Sequence, residues 1–203
     1  MIVVGLTGGI ATGKTTVADM LRRHGATIID TDELSREVTA PGAPAFDEIV
    51  QAFGPTILTD HGTLDRKRLG FLVFADPDLR ERLQRITHPR IRDQLRRRLA
   101  ELRSASHPPQ VVIAVIPLLF ETGAERDVDV TVAVVAPDAE QARRLMARDG
   151  LSRPDAEARV RAQMPVDEKR RRADFVVDAS GSLEETAKQT QKLWDGLRVR
   201  ARG

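Results

Sequence analysis

Apolar residues in this 203-residue chain fall into short unbroken runs, separated by longer stretches with three- and four-residue spacing. The compact runs are residues 2–6, 26–30 (ATIID), 111–116 (VVIAVI), 128–135 and 175–178. They have strand length, and a run with no polar alternation suits a strand covered on both faces. Between them lie helical patterns over 14–24, from about 136 to 148, and over 183–197. Strands alternating with helices predict a parallel sheet joined by right-handed crossovers. The interval 33–103 breaks the alternation, because its pattern is helical throughout and interrupted only at Pro41-Gly42 and around Gly54-Pro55. It reads as an insertion between two strands. Its longest periodic segment, 76–103, repeats Leu79, Leu83, Ile86, Ile91, Leu95, Leu99 and Leu102 on one side. His88-Pro89 interrupts that segment, so a kink or two abutting helices is expected there. Residues 150–172 form a strongly charged helical pair split at Met164-Pro165.

Composition narrows the class. Hydrophobic residues make up 41% and charged residues 31%, as in an ordinary globular protein, and no run approaches the roughly 20 apolar residues of a membrane span. The N-terminus has no basic leader, so no export signal is read and a cytoplasmic protein is expected. Cysteine is absent and the four histidines lack metal-ligand spacing, which excludes a disulfide framework or thiolate site. Of the 32 basic residues, 5 are Lys and 27 Arg, yet net charge is only +2. Basic and acidic residues alternate on helical faces and aromatics are few, so neither a nucleic acid nor a membrane is an expected partner.

The chemistry begins directly after the first strand, in GLTGGIATGKTT. Residues 8–15 satisfy G-x-x-x-x-G-K-[ST] at every position. Glycines let successive backbone N–H groups turn inward on phosphate oxygens, and the following helix adds its positive end. Gly9, Ile10, Ala11, Thr12, Gly13, Lys14, Thr15 and Thr16 are therefore the candidate nucleotide-binding residues. Lys14 would bring a point charge to the β/γ-phosphates, and the Thr15 hydroxyl would ligate Mg²⁺. A Rossmann dinucleotide loop needs G-x-G-x-x-G, which is absent. The expected ligand is ATP with Mg²⁺.

A GTPase would read guanine through an NKxD-type motif, and this chain contains no Asn. A small kinase fits better, because phosphoryl transfer rests mainly on positioning and charge neutralisation. The acidic cluster DTDE (30–33) falls at the carboxyl end of the second strand, where ligands sit in open α/β sheets. Asp30 and Glu33 have capping-box spacing, while Asp32 is placed to take a proton from an acceptor hydroxyl.

The ordered segments GLTGGIATGKTT, IIDTDELSREV, GTLDRKRLGFLVF, THPRI, IPLLFETG, RDGLS and QMPVDEK with ADFVVD cover about residues 1–190. Together they resemble the dephospho-coenzyme A kinase family. That resemblance implies a P-loop NTPase-type α/β fold: a three-layer sandwich with a parallel five-stranded sheet, a helical substrate-binding insertion and a helical lid. In this reading the nucleotide core comprises 1–32, 104–140 and 173–203, the insertion 33–103 and the lid 141–172. It implies transfer of the ATP γ-phosphate to the ribose 3′-hydroxyl of dephospho-CoA. Asp32 matches the family's general base. Arg36, His88, Pro117, Leu118, Glu121 and Arg144 fall at substrate-side positions, and Arg148 joins Lys14 among the groups facing the transferring phosphoryl.

Bland alternatives stand beside three of these. His88 could be a satisfied structural histidine, the residues around Leu118 plain core, and Arg148-Asp149 a surface ion pair. Two positions depart from the family pattern. Ala11-Thr12 stands where the family typically has Gly-Ser, and Ala11 is expected to keep a negative φ. Asp178-Ala179-Ser180-Gly181 replaces the usual Asp-Asn-x-Gly, which removes a side-chain amide near the adenine position. Rival readings are a kinase of a nucleoside monophosphate or sugar acid, and a nucleotide-gated regulatory protein. A monomer and a homo-oligomer, such as a trimer, are both compatible with the exposed arginine faces.

Overall fold

The computed structural model describes residues 1–202. Five parallel strands, β1 (Ile2–Gly8), β2 (Thr27–Asp30), β3 (Val111–Val115), β4 (Val130–Val135) and β5 (Phe175–Asp178), form one sheet in the order β2-β3-β1-β4-β5. In register, Val4 lies opposite Ile113, Leu6 opposite Val132, Ile28 opposite Ile113, and Val134 opposite Val177. The β1, β3 and β4 side chains are buried along their whole lengths, as the unbroken apolar runs require. β1 runs two residues past its expected end, since its pairing with β4 continues to Gly8. The chain leaves β1 towards β2 on one side, then crosses from β3 to β4 on the other. The carboxyl end of β1 therefore sits at a topological switch point.

Contacts divide the chain into two compact units, residues 1–30 with 103–203, and residues 31–102. In the first unit, α1 (Lys14–Arg23) and α9 (Leu183–Arg200) pack together over one face of the sheet. Val17, Leu21, Leu193, Trp194 and Leu197 close the core there against Val4, Leu6, Ile113 and Val132. α6 (Asp138–Asp149) packs on α7 (Arg153–Arg161), and α8 (Val166–Arg172) lies against β1 and β4. The break between α7 and α8 falls at Met164-Pro165, as expected.

The second unit contains α2 (Thr31–Val38), α3 (Pro44–Phe53), α4 (Arg66–Ala75) and most of α5 (Pro77–Ser104). Its small core is Ala45, Ile49, Ile57, Leu64 and Leu69, flanked by Phe46, Phe53, Leu83 and Ile86. α5 does not divide into two helices at Pro89 but continues as one 28-residue helix. Side-chain donors serve the carbonyls around the proline. Thr87 Oγ1 donates to the Leu83 carbonyl at 2.9 Å and Arg90 Nη1 to the Ile86 carbonyl at 2.6 Å. Burial of Thr87, Leu95 and Leu99 holds the helix on both sides of Pro89. Among the described residues no helix is long and apolar enough to cross a membrane.

Candidate active site

The loop between β1 and α1 is shaped by what its glycines exclude. A Cβ on Gly8 would lie 2.4 Å from the Val134 carbonyl oxygen, and one on Gly9 2.4 Å from Gln141 Oε1. Gln141 cannot give way easily, because it is buried and its Nε2 donates to the Ala136 carbonyl at 2.8 Å. Gly13 heads α1 with φ of +101° and no side-chain cap. The first turn of α1 contains no acid, so its N–H groups and positive end are left for an anion. Lys14 Nζ lies over the loop, donating to the Gly8 carbonyl at 2.9 Å and the Gly9 carbonyl at 2.8 Å. Thr15 and Thr16 lie at the head of the helix.

Ala11 departs from its expected geometry. Its φ is +56°, the only positive value at a non-glycine among the described residues. Thr12 N–H and Oγ1 both donate to the Gly9 carbonyl, at 3.4 and 2.9 Å, which closes a tight turn. The turn puts residue 11 in the left-handed region, where a Cβ costs about 1–2 kcal/mol. The chain keeps the turn and carries the strain.

Neighbouring segments over-determine that conformation. Ile10 N–H donates to Gln163 Oε1 at 2.7 Å, across 153 residues of sequence. Ile10 and Ala11 pack against the apolar cluster of Ala142, Leu145, Ala156 and Val160 between α6 and α7. Arg144 reaches in from α6. Its Nη1 lies 3.3 Å from the Thr12 carbonyl and 3.5 Å from that of Ala11, and its Nη2 donates to the Ala179 carbonyl at 2.6 Å. Arg144 Nε donates to Glu140 Oε1 at 2.7 Å. Arg143 foremost, then Arg144, holds the Glu140 carboxyl down to about 2. Ala179, the departure from the family's Asn, is buried and offers its backbone carbonyl instead. Arg148 lies apart from these contacts, paired with Asp149 at 2.7 and 3.0 Å.

Beyond β3, Pro117 is a meeting point. Its carbonyl accepts from Thr7 Oγ1 and from Lys169 Nζ, each at 3.0 Å. Lys169 is fully buried, and its ammonium also contacts Glu121 Oε1 at 2.7 Å. Glu121, expected to face a substrate, thus gives one carboxylate oxygen to Lys169. The Leu118 carbonyl caps the local turn through Thr122 N–H and Oγ1, at 3.1 and 2.7 Å.

The helical unit carries the remaining candidates. Asp32 lies exposed in the first turn of α2, with Arg36 exposed one turn later. His88 is half-buried on α5, and burial pushes its imidazole below its ordinary value, so it is neutral at pH 7. Arg66 Nη2 donates to Thr39 Oγ1 at 2.8 Å, one turn beyond Arg36. Burial and then the like charge of Arg36 lower the Arg66 guanidinium.

Sequence reasoning did not single out Gln163, Lys169 or Arg66. For Lys169 a signal existed: in a chain with 27 Arg and 5 Lys, it opens the run KRRR. A compact ammonium matches the two oxygen partners found there, whereas a guanidinium would bring five donors in a rigid fork. Gln163 opens the QMPVDEK segment of the family resemblance, but its bond to Ile10 spans 153 residues and is invisible to local pattern.

The donor set suits a magnesium triphosphate. A glycine-shaped loop, a helix N-terminus and the Lys14 ammonium are groups of the kind that receive phosphate oxygens. No three His, Cys, Asp or Glu side chains gather as a metal site among the described residues. Mg²⁺ needs none, since it rests on one or two protein oxygens plus phosphates and water. Thr15 carries a hydroxyl oxygen of that kind at the head of α1.

The comparisons with known proteins agree over nearly the full length. The family model for dephospho-CoA kinase matches residues 2–185. A dephospho-CoA kinase of Moorella thermoacetica is 50% identical over 197 residues, covering 97% of this chain and 92% of the relative. A Thermus thermophilus protein of known crystal structure superposes with a TM-score of 0.79 at 40% identity, covering 96% of each chain. The dephospho-CoA kinase of Campylobacter jejuni gives a TM-score of 0.71 at 26% identity, with 98% of each chain covered. With the phosphate loop, the switch-point sheet and a match of this extent in hand, the chain belongs to the dephospho-CoA kinase family.

Proposed function

We propose that this protein transfers the γ-phosphate of ATP to the ribose 3′-hydroxyl of dephospho-CoA, giving CoA and ADP, the last step of coenzyme A biosynthesis. The observation that carries this reading is the glycine-shaped loop over Lys14, in a chain whose family match spans residues 2–185. In this reading the loop amides and Lys14 hold the β/γ-phosphates, and Thr15 would hold Mg²⁺, which neutralises phosphate charge when bound. Asp32 takes the proton of the 3′-hydroxyl while that oxygen bonds to phosphorus and the bond to ADP breaks. Arg36, His88, Pro117, Leu118 and Glu121 are assigned to the acceptor side, with Glu121 acting from its pair with Lys169. Neutral His88 serves as a hydrogen-bonding or packing group rather than as a cation. Arg144 is the lid arginine that touches the loop, and Arg148 is the second cation of this reading.

The test is ADP release measured with dephospho-CoA, AMP and shikimate as acceptors. Turnover with dephospho-CoA alone is expected, and preference for either other acceptor overturns the assignment. Residues 141–172 are assigned to a lid that excludes water during transfer. Amide exchange over 140–165 should slow when both substrates are present, and identical exchange with and without them removes the lid from the scheme.

A further inference from the structure

Gln163 stands at the end of α7, where its N–H donates to the Val160 carbonyl at 3.2 Å. Six residues later Lys169 is locked between Pro117 and Glu121. The intervening segment is therefore fixed at both ends, and its one carboxamide points at the crest of the phosphate loop. We infer that Gln163 is a positioning residue for nucleotide binding: its side-chain carbonyl, acting with Arg144, holds the left-handed turn at Ala11 in the shape that receives a triphosphate. The inference rests on the reading of residues 8–16 as a triphosphate cradle.

Three observations support it. Ala11 sits at φ +56°, a conformation that alanine leaves unless its surroundings hold it. One peptide before it, the Gly9–Ile10 unit is pinned by Gln163 through Ile10 N–H, and the carbonyls of Ala11 and Thr12 face the Arg144 guanidinium. The Ile10 and Ala11 side chains are packed on the α6–α7 cluster, so the loop is gripped from one side by the segment that carries both clamps. Glycine at position 11 would adopt the turn without help. A chain with alanine there needs an external hold, and Gln163 provides the shorter of the two polar ones. The loop is thus shaped by α6, α7 and the linker after them.

The experiment is a double-mutant cycle on MgATP affinity, measured by calorimetry on the full chain with no acceptor present. Gln163→Met keeps the length of the side chain and removes the acceptor. It should weaken ATP binding about 3- to 10-fold, the size of one backbone hydrogen bond at a structured site. In an Ala11→Gly background, where the turn forms unaided, Gln163→Met should cost less than about 2-fold relative to Ala11→Gly alone. Equal losses in the parent and in the Ala11→Gly background overturn the inference, because Gln163 would then act independently of the strained turn. Unchanged affinity in Gln163→Met overturns it too. Exchange of the Ile10 amide in the nucleotide-free protein gives a second reading: it should accelerate in Gln163→Met and in the shorter Gln163→Asn, which serves if the first variant folds poorly. Failure of the parent chain itself to bind MgATP would instead refute the cradle reading, so the two failures are distinguishable.

Discussion

The sheet-bearing unit and the helical unit are built to different plans. In the first, strands β1, β3 and β4 are buried along their whole lengths, and the candidate site consists largely of backbone groups at one strand end. In the second, a small core of five buried side chains ties α3, α4 and α5 together, and large apolar residues remain outside it, with Phe71 74% exposed and Phe74 55%. Its candidate groups are side chains, Asp32, Arg36, Arg66 and His88, drawn from α2, α4 and α5. A site made of backbone is set by where glycine is required and cannot be retuned by one substitution without disturbing the turn. A site made of side chains can be altered one group at a time. The donor end of a phosphoryl transfer, common to every MgATP user, suits the first plan, and in the proposed reading acceptor recognition adds side chains of the second to Pro117, Leu118 and Glu121 of the first.

The sharpest way to separate the two is Asp32→Asn. It should lower kcat by about 10²–10⁴, the range of general-base effects, while MgATP affinity stays near the parent value. Steady-state rates and calorimetry on the same preparation decide it. Parent-like turnover would remove Asp32 from catalysis, and a matching loss of ATP affinity would show that Asp32 is not separable from the phosphate loop.

Lys169→Met tests the buried frame of the sheet-bearing unit. Removing the ammonium takes from Glu121 the cation it contacts, and leaves the Pro117 carbonyl with Thr7 as its remaining donor. Losing one partner of a buried pair typically costs about 3–5 kcal/mol. For a chain of this length, thermal unfolding should shift down by at least about 6 °C. A shift below about 2 °C would show that the pair is largely solvated. The double variant Lys169→Met/Glu121→Leu should recover part of the loss, since an apolar pair can replace a buried ionic one.

Gly9→Ala acts on the backbone plan directly. The added methyl meets Gln141 Oε1 at 2.4 Å and Thr12 Cγ2 at 3.3 Å, and Gln141 is tied to Ala136. Overpacking of this kind costs about 1–3 kcal/mol. MgATP affinity should drop by about 10-fold or more as the loop shifts, with binding of the acceptor unchanged. Equal weakening for donor and acceptor would mean that the two sites are not separable in this way.

What could be read from the chain follows the same division. The phosphate loop, all five strands and the α7–α8 break were legible because each depends on neighbours in sequence: glycine placement, unbroken apolar runs and a proline. Pro89 left a kink and two abutting helices open for the opposite reason. Its local effect is to bend or end a helix, and burial of Thr87, Leu95 and Leu99 on either side keeps α5 continuous. Ala11 misled, since its intrinsic preference opposes what Gln163, Arg144 and the α6–α7 cluster enforce. Lys169 is the clearest loss. Its role depends on Pro117 and Glu121, about fifty residues away, and nothing in VDEKRRR ranks it above the arginines beside it except the choice of lysine.

The smallest effect expected is at Glu140, which aims Arg144 at the loop without touching the loop itself. Its carboxyl is held at about 2, below the ordinary value near 4.5, chiefly by Arg143 and then by Arg144. A depressed carboxylate contributes stability above its unfolded value and loses that contribution as pH falls through the folded one. The parent should therefore lose this increment between about pH 4.5 and pH 2, and Glu140→Gln should lack it. The Arg143 side is open to solvent, so the increment is modest, about 0.2–1 kcal/mol. Denaturant midpoints at pH 7 should favour the parent slightly, and the difference should vanish towards pH 2. Because the effect is electrostatic, about 1 M salt should shrink it at pH 7 as well. MgATP affinity should fall by less than about 3-fold, because Arg144 keeps its bond to the Ala179 carbonyl. A larger loss would mean that the aim of one guanidinium, and not backbone shape alone, governs donor binding.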